Sequence, residues 1–217
     1  MIVHTTAPML RTLLRVDQEN RPFIIRYTGK VRKGKMQDHT AFFTALDRYA
    51  QEHENAEEKL RIEFYGPRLT AGEEEELLGG YPNARKICHF QDSVDWAEAL
   101  RLQETADALV LFSQPNSKGI LTGKVFEYLR TLNPIVVCPG DGGELDDMLE
   151  SSGLGVIGSR AEVVYQFLLT ATGGAAEELK IQPDRAFIER FSRKRLCGQL
   201  ANLLNMLVSN NQRSGLV

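Results

Sequence analysis

Four cations and two glycines stand together in Gly29-Lys30-Val31-Arg32-Lys33-Gly34-Lys35, directly after an apolar run. Lysine and arginine neutralise phosphate oxygens, and glycine lets the backbone come close to a ligand. The segment, with Gly29, Lys30, Lys33 and Lys35 in it, therefore reads as a candidate diphosphate clamp. The competing reading is a solvated basic loop.

A second segment, Asn116 through Leu129, leads from an apolar strand into a helix. Thr122 stands where a cap belongs. The unpaired N–H groups of a helix start, with the positive end of its dipole, favour an anion. Gly123 and Lys124 occupy that start, and Lys124 adds a formal charge. Glu127 follows about one turn later, where a carboxylate could accept two hydrogen bonds from a ribose diol. Read by itself, Glu127 is more often an ordinary surface glutamate of a helix.

Two further segments carry weaker signals. His89-Phe90-Gln91-Asp92-Ser93 closes a strand and could edge a base pocket, although His89 also reads as a structural histidine. Pro139-Gly140-Asp141-Gly142-Gly143-Glu144 permits close approach of a ligand, or is a plain strand-to-helix loop. No residue stands out as a catalyst. The patterns GxSxG, GxxxxGK[ST] and HExxH are missing, which counts against a serine hydrolase, a P-loop NTPase and a zinc protease, and no GxGxxG follows the first strand, which counts against a typical NAD dehydrogenase.

Short β-rich runs alternating with amphipathic helical runs position these segments. The strands read as Phe23–Gly29, Leu60–Gly66, Lys86–Phe90, Ala108–Phe112, Pro134–Pro139 and Gly153–Gly158. Ala108–Phe112 is apolar throughout, as a central strand buried on both faces would be. Helices read at Ala41–Ala50, Glu73–Leu78, a run capped by Asp92 or Ser93 through Leu102, Thr122–Leu132, Glu144–Ser151 and Ala161–Ala171. Alternating strands and helices predict one α/β, doubly wound, Rossmann-like domain with a six-stranded parallel sheet. Ligands of such sheets bind at the carboxyl ends of the strands, where the order of strands switches.

This domain is placed at residues 23–172, between a linker-like segment 1–22 and a helical tail 173–217. The tail reads as two helices, and its row Leu196, Leu200, Leu203, Leu204 and Leu207 reads as core packing. The basic cluster Arg190, Arg193, Lys194 and Arg195 reads as a solvated face, with anionic lipid as the alternative partner.

Composition bounds the function. The 217 residues are 42% hydrophobic and 25% charged, ordinary globular values that argue against disorder and fibrous repeats. The 26 basic and 29 acidic side chains leave a net charge of −3, so the chain as a whole is no polybasic nucleic-acid binder. No apolar run approaches the roughly 20 residues of a spanning helix. Cys88, Cys138 and Cys197 lack CxxC spacing and read as free thiols of a reducing cytoplasm, and the four histidines show no metal-ligand spacing.

Several of these stretches together resemble a known family. Phe23–Gly29 with its basic loop, Leu60–Gly66, Ala106–Leu111 and, above all, Gly123-Lys124-Val125-Phe126-Glu127-Tyr128-Leu129 followed by Asn133-Pro134-Ile135-Val136 look like the C-terminal half of a GT-B fold glycosyltransferase. The closest group is the retaining family 4 (glycosyl transferases group 1), in its KxxEYL variety. The segment around Phe191-Ser192-Arg193 is similar to that family's ending, and the resemblance covers about residues 22–208.

The resemblance implies a donor site for a nucleoside-diphosphate sugar, which is a co-substrate, with no cofactor and no metal. Lys30 and Lys33 or Lys35 would match the residues that hold the diphosphate. Gly123 and Lys124 would lie beside the phosphates, Glu127 would bind the ribose, and Phe90 would border the base. Many relatives carry a second glutamate eight positions before the ribose one, and here that position is Gly119. A full enzyme of this fold also has an N-terminal acceptor domain, for which this chain has no room.

The expectation is the donor-binding half of a hexosyltransferase of polysaccharide biosynthesis. It would need that domain or a partner chain, be cytoplasmic, touch the inner membrane face peripherally and bind no nucleic acid. The alternative is a non-catalytic GT-B-like binding module that lost transferase activity. A sugar-nucleotide epimerase and a flavodoxin-like signalling domain are the remaining readings.

Overall fold

A computed structural model describes residues 21–32, 37–113, 118–173, 179 and 181–214, the last five without their side chains. The sheet is six-stranded, with order β3-β2-β1-β4-β5-β6. Its strands are β1 (Phe23–Thr28), β2 (Leu60–Tyr65), β3 (Cys88–Gln91), β4 (Ala108–Phe112), β5 (Ile135–Cys138) and β6 (Gly155–Ile157). Every pairing is parallel. The order runs outward from β1 in one direction and from β4 in the other, so the switch point lies between these two strands.

The helices are α1 (Thr40–Glu52), α2 (Ala56–Lys59), α3 (Ala71–Leu78), α4 (Trp96–Glu104), α5 (Gly123–Thr131), α6 (Glu144–Ser151), α7 (Ala161–Thr172), α8 (Arg185–Glu189) and α9 (Arg193–Ser214). The cap before α4 is Asp95 rather than Asp92 or Ser93. Its carboxylate accepts from the N–H of Glu98 at 2.9 Å, because the helix starts only at Trp96.

Two cores sandwich the sheet. Ile25, Tyr27, Ile62, Phe64, Val110 and Phe112 face α1 and α7. Leu109, Leu111, Ile135 and Val137 face α5 and α6. β4 is buried over its whole length, as its uninterrupted apolar sequence requires.

The layer beneath α4 is polar. Arg26 on β1 donates to Glu63 on β2 at 2.7 Å and to the Leu102 carbonyl and Thr105 hydroxyl of α4. Arg61 and Tyr65 also donate to Glu63. Burial pushes the Glu63 carboxyl up, but the two guanidinium groups prevail and hold it below the usual carboxylate range.

The C-terminal region divides in two. Ile181, Phe187, Ile188 and Phe191 pack on the core under α6, and Gln182 and Asp184 donate backbone hydrogen bonds to Gly153 and Ser152. The apolar row of α9 does not join any core. Leu196, Leu200, Leu203, Leu204 and Leu207 are 46–63% exposed, which corrects the expectation of core packing. A helical period places these leucines on one face, but among the described residues nothing covers that face.

Candidate functional site

The carboxyl ends of β1 and β4 flank the switch point, and α5 starts there. Three side chains grip Thr28, the last residue of β1. Lys124 Nζ donates to the Thr28 carbonyl at 2.6 Å. The Thr28 N–H donates to Tyr128 Oη at 3.2 Å. Gln103 Nε2 of α4 donates to Thr28 Oγ1 at 2.9 Å. A helical period places Lys124 and Tyr128 on one face of α5, so both reach the same strand end.

Gly29 follows at φ +140°, a conformation that L side chains rarely adopt. A Cβ built there would sit 2.3 Å from Lys124 Nζ. Glycine thus leaves room for the ammonium at the end of β1. Lys124 also lies over the Tyr27 ring, 3.9 Å from its centre. Burial brings the Lys124 ammonium down to about 8, against the opposing effect of the Glu127 charge. A diphosphate beside it would restore the charged form.

Among the described residues no side chain caps the start of α5. Thr122 holds the cap position in extended conformation but makes no side-chain cap hydrogen bond. In contrast, Thr70, Asp95 and Asp184 cap α3, α4 and α8 through their side chains. Glu127 lies half-buried one turn into α5, and its Oε2 accepts from Gln103 Nε2 at 3.3 Å.

The structure therefore brings Gly29, Gly123, Lys124 and Glu127 together at the switch point. Lys30 is exposed beside them, its carbonyl accepting from Tyr27 Oη at 3.1 Å. Lys33 and Lys35 lie outside the described residues. Phe90 stands apart on β3, two strand spacings or about 10 Å from β1. Its ring stacks on Phe64 at 4.8 Å and forms the half-buried edge of the core.

His89 lies on the opposite face of that strand. Burial and neighbouring Arg61 lower its imidazole below the usual range, and Glu63 opposes them. Reasoning from sequence did not single out Gln103, Thr28 or Tyr128. Only the sheet order puts α4 and α5 against the end of β1.

The glycine-rich turn after β5 behaves as a plain loop. The N–H of Gly140 donates to Ser159 Oγ, those of Asp141 and Gly142 to Asp146, and those of Gly143, Leu145 and Asp146 to Asp141. All but one of these donors are taken by the carboxylates of Asp141 and Asp146. Gly119, eight residues before Glu127, has φ +76°. A Cβ placed on it would lie 3.4 Å from the Glu144 carboxylate, so the neighbouring turn fills this corner with a carboxylate of its own.

Cys88 and Cys138 are buried and unpaired, and Cys197 is exposed. Among the described residues no helix is long and apolar enough to cross a membrane.

No sequence family and no curated protein matches the chain. Its fold is similar to several solved glycosyltransferases. HepE of Anabaena, in complex with UDP-glucose, matches with a TM-score of 0.60 and 14% identity over 94% of this chain and 54% of that one. A glycosyltransferase of Rickettsia africae matches with a TM-score of 0.63 and 13% identity, over 95% and 53%. The trehalose 6-phosphate synthase of Burkholderia multivorans matches with a TM-score of 0.64 and 12% identity, over 97% and 48%. The chain spans about half the length of these structures. Its fold is that of one Rossmann-like half of a GT-B glycosyltransferase.

Proposed function

We propose that this chain is the donor-binding half of a glycosyltransferase that moves a hexose from a nucleoside-diphosphate sugar to a glycan, with family 4 as its nearest kin. The observation that carries the reading is the group at the switch point: a lysine beside Gly29 at a helix start that Thr122 does not cap with its side chain, with a carboxylate one turn further in. Lys124 and the N–H groups of α5 hold the diphosphate, and Lys30 adds charge from solvent. Lys33 and Lys35 are proposed to extend the same clamp. Glu127 accepts hydrogen bonds from the ribose hydroxyls, and Phe90 borders the base.

In glycosyl transfer the bond between the anomeric carbon and the terminal phosphate oxygen breaks, and the leaving diphosphate gains charge. A preorganised cation and helix dipole aimed at that oxygen lower the barrier. HepE, whose fold is similar, was solved with UDP-glucose and with UDP.

The reading places the acceptor on a second domain or a partner chain. The uncovered leucines of α9 support it, since 46–63% exposure in a row of apolar side chains leaves a face to be covered. Cytoplasmic work on polysaccharide at the inner membrane face is part of the same proposal, with Arg190, Arg193, Lys194 and Arg195 against anionic lipid. The alternative reading, a binding module without transferase activity, is favoured by the glycine at position 119.

Titration calorimetry of the chain with UDP, GDP and ADP, each against Glu127→Ala, tests the proposal. Saturable binding of one diphosphate, weakened at least about tenfold in the variant, is expected. Heat signals absent for all three would overturn it. Binding of a diphosphate, with no hydrolysis or transfer of its sugar once a complementing domain is supplied, would select the binding module.

A further inference from the structure

We infer that Gln103 is a positioning residue for the ribose subsite: its amide aims the Glu127 carboxylate from beneath. The inference rests on the reading that Glu127 binds a ribose.

Gln103 lies near the end of α4 and is 1% exposed. Its Nε2 carries two protons and has two acceptors, Thr28 Oγ1 at 2.9 Å and Glu127 Oε2 at 3.3 Å. One amide thus ties the end of β1, beside the switch point, to the carboxylate on α5. Among the described residues Gln103 is the one hydrogen-bond donor seen on Glu127. Lys124 lies close by, but its ammonium donates to the Thr28 carbonyl.

With Oε2 held by Gln103, the second oxygen, Oε1, is left for the ribose hydroxyl groups. The main chain of Gln103 is held in turn, because Asn133 Nδ2 donates to its carbonyl at 2.9 Å.

The other end of the amide argues against a role in packing alone. Gln103 Oε1 is buried and is the one buried side-chain polar atom without a partner among the described residues. An unsatisfied acceptor destabilises a fold, and an apolar side chain of the same length would fill the space without one. What the amide supplies and a methionine does not is the pair of N–H groups on Thr28 and Glu127.

The test uses the full chain and compares UDP with 2′-deoxy-UDP, with the GDP and ADP pairs run in parallel. Wild type prefers the ribonucleotide, because Glu127 meets both hydroxyls. In Gln103→Met, which keeps the length of the side chain, the ribonucleotide is expected to weaken about tenfold, the scale of one charge-assisted hydrogen bond. The deoxynucleotide is expected to stay within about twofold, so that the preference collapses. Glu127→Ala added to Gln103→Met would lower the preference no further.

A Gln103→Met preference equal to wild type, even with both ligands weakened, overturns the inference and leaves Gln103 a packing residue. Should Gln103→Met not fold, Gln103→Glu is read by the same preference. It keeps an acceptor for the Thr28 hydroxyl and sets a like charge against Glu127. A wild-type chain that binds diphosphates without preferring ribose overturns both the inference and the role of Glu127. A ribose preference that survives in the variants overturns the inference alone.

Discussion

Two glycine-rich junctions stand at the carboxyl ends of central strands, and they do opposite things with their backbone. After β5, the N–H groups from Gly140 to Gly143 all donate within the protein, most of them to Asp141 and Asp146. After β1 and at the start of α5, a glycine at φ +140° makes room for an ammonium, and among the described residues no side chain caps the helix. The same residue types produce a closed turn in one place and an open cationic corner in the other. What separates them is a carboxylate in reach. Asp141 neutralises the start of α6, whereas the nearest carboxylate on α5, Glu127, lies one turn in and is held by Gln103. Glycine content alone does not mark a binding site. The two junctions differ in which of their donors the described side chains occupy.

The sharpest way to break this contrast is to remove the cation. Lys124→Met is expected to weaken diphosphate binding by about 100-fold, the upper range for hydrogen bonds to charged groups. Asp141→Ala should leave that affinity within about twofold. Calorimetry of both variants decides, and equal losses would erase the distinction between the two junctions. Asp141→Ala should instead lower stability by about 1–2 kcal/mol, the scale of a lost cap, in denaturant unfolding.

Gly29→Ala comes next. A side chain there meets both a rare backbone conformation and the Lys124 ammonium, so a loss of about 1–3 kcal/mol is expected. Unchanged unfolding would show that the ammonium is free to move aside.

Two pH profiles refine the picture. A diphosphate bound as proposed would favour the charged form of Lys124, so binding should take up a proton above about pH 8. Affinity should fall about tenfold between pH 7 and 9, where the protonated fraction falls by that factor. The slope should vanish in Lys124→Met. His39 packs edge-on against Phe112 at 4.4 Å, and burial lowers its imidazole to about 4. Its folded pKa lies below the unfolded value of about 6.5, so the unfolded chain binds the extra proton between them. Stability should therefore fall as pH drops from 6.5 to 4. His39→Gln should flatten that part of the profile, and an unchanged slope would assign it to carboxylates.

Much of this was legible beforehand, element by element. The six strands stand at the β-rich runs: four of these end in glycine or proline, and Ala108–Phe112 is apolar throughout, as a strand buried on both faces must be. The start of α5 was legible because Thr122, Gly123 and Lys124 precede a helical period. Two things were not. The cap of α4 moved to Asp95, since any of the polar residues 92–95 satisfies the local rule and packing chooses among them. The leucines of α9 look like core in sequence, because periodicity reports which residues share a face and not whether a surface meets it.

The sequence by itself determined the alternation of strands and helices, the parallel sheet this requires, and the chemical types at each strand end. Those follow from local period, propensity and charge. Only the tertiary structure decided which ends meet. The order β3-β2-β1-β4-β5-β6 sets Thr28 of β1 against Lys124, Tyr128 and Gln103, residues 75 to 100 positions away along the chain. It also sets Phe90 two strands aside. Contacts between residues so far apart in sequence arise from the packing of whole elements, to which a local pattern carries no reference.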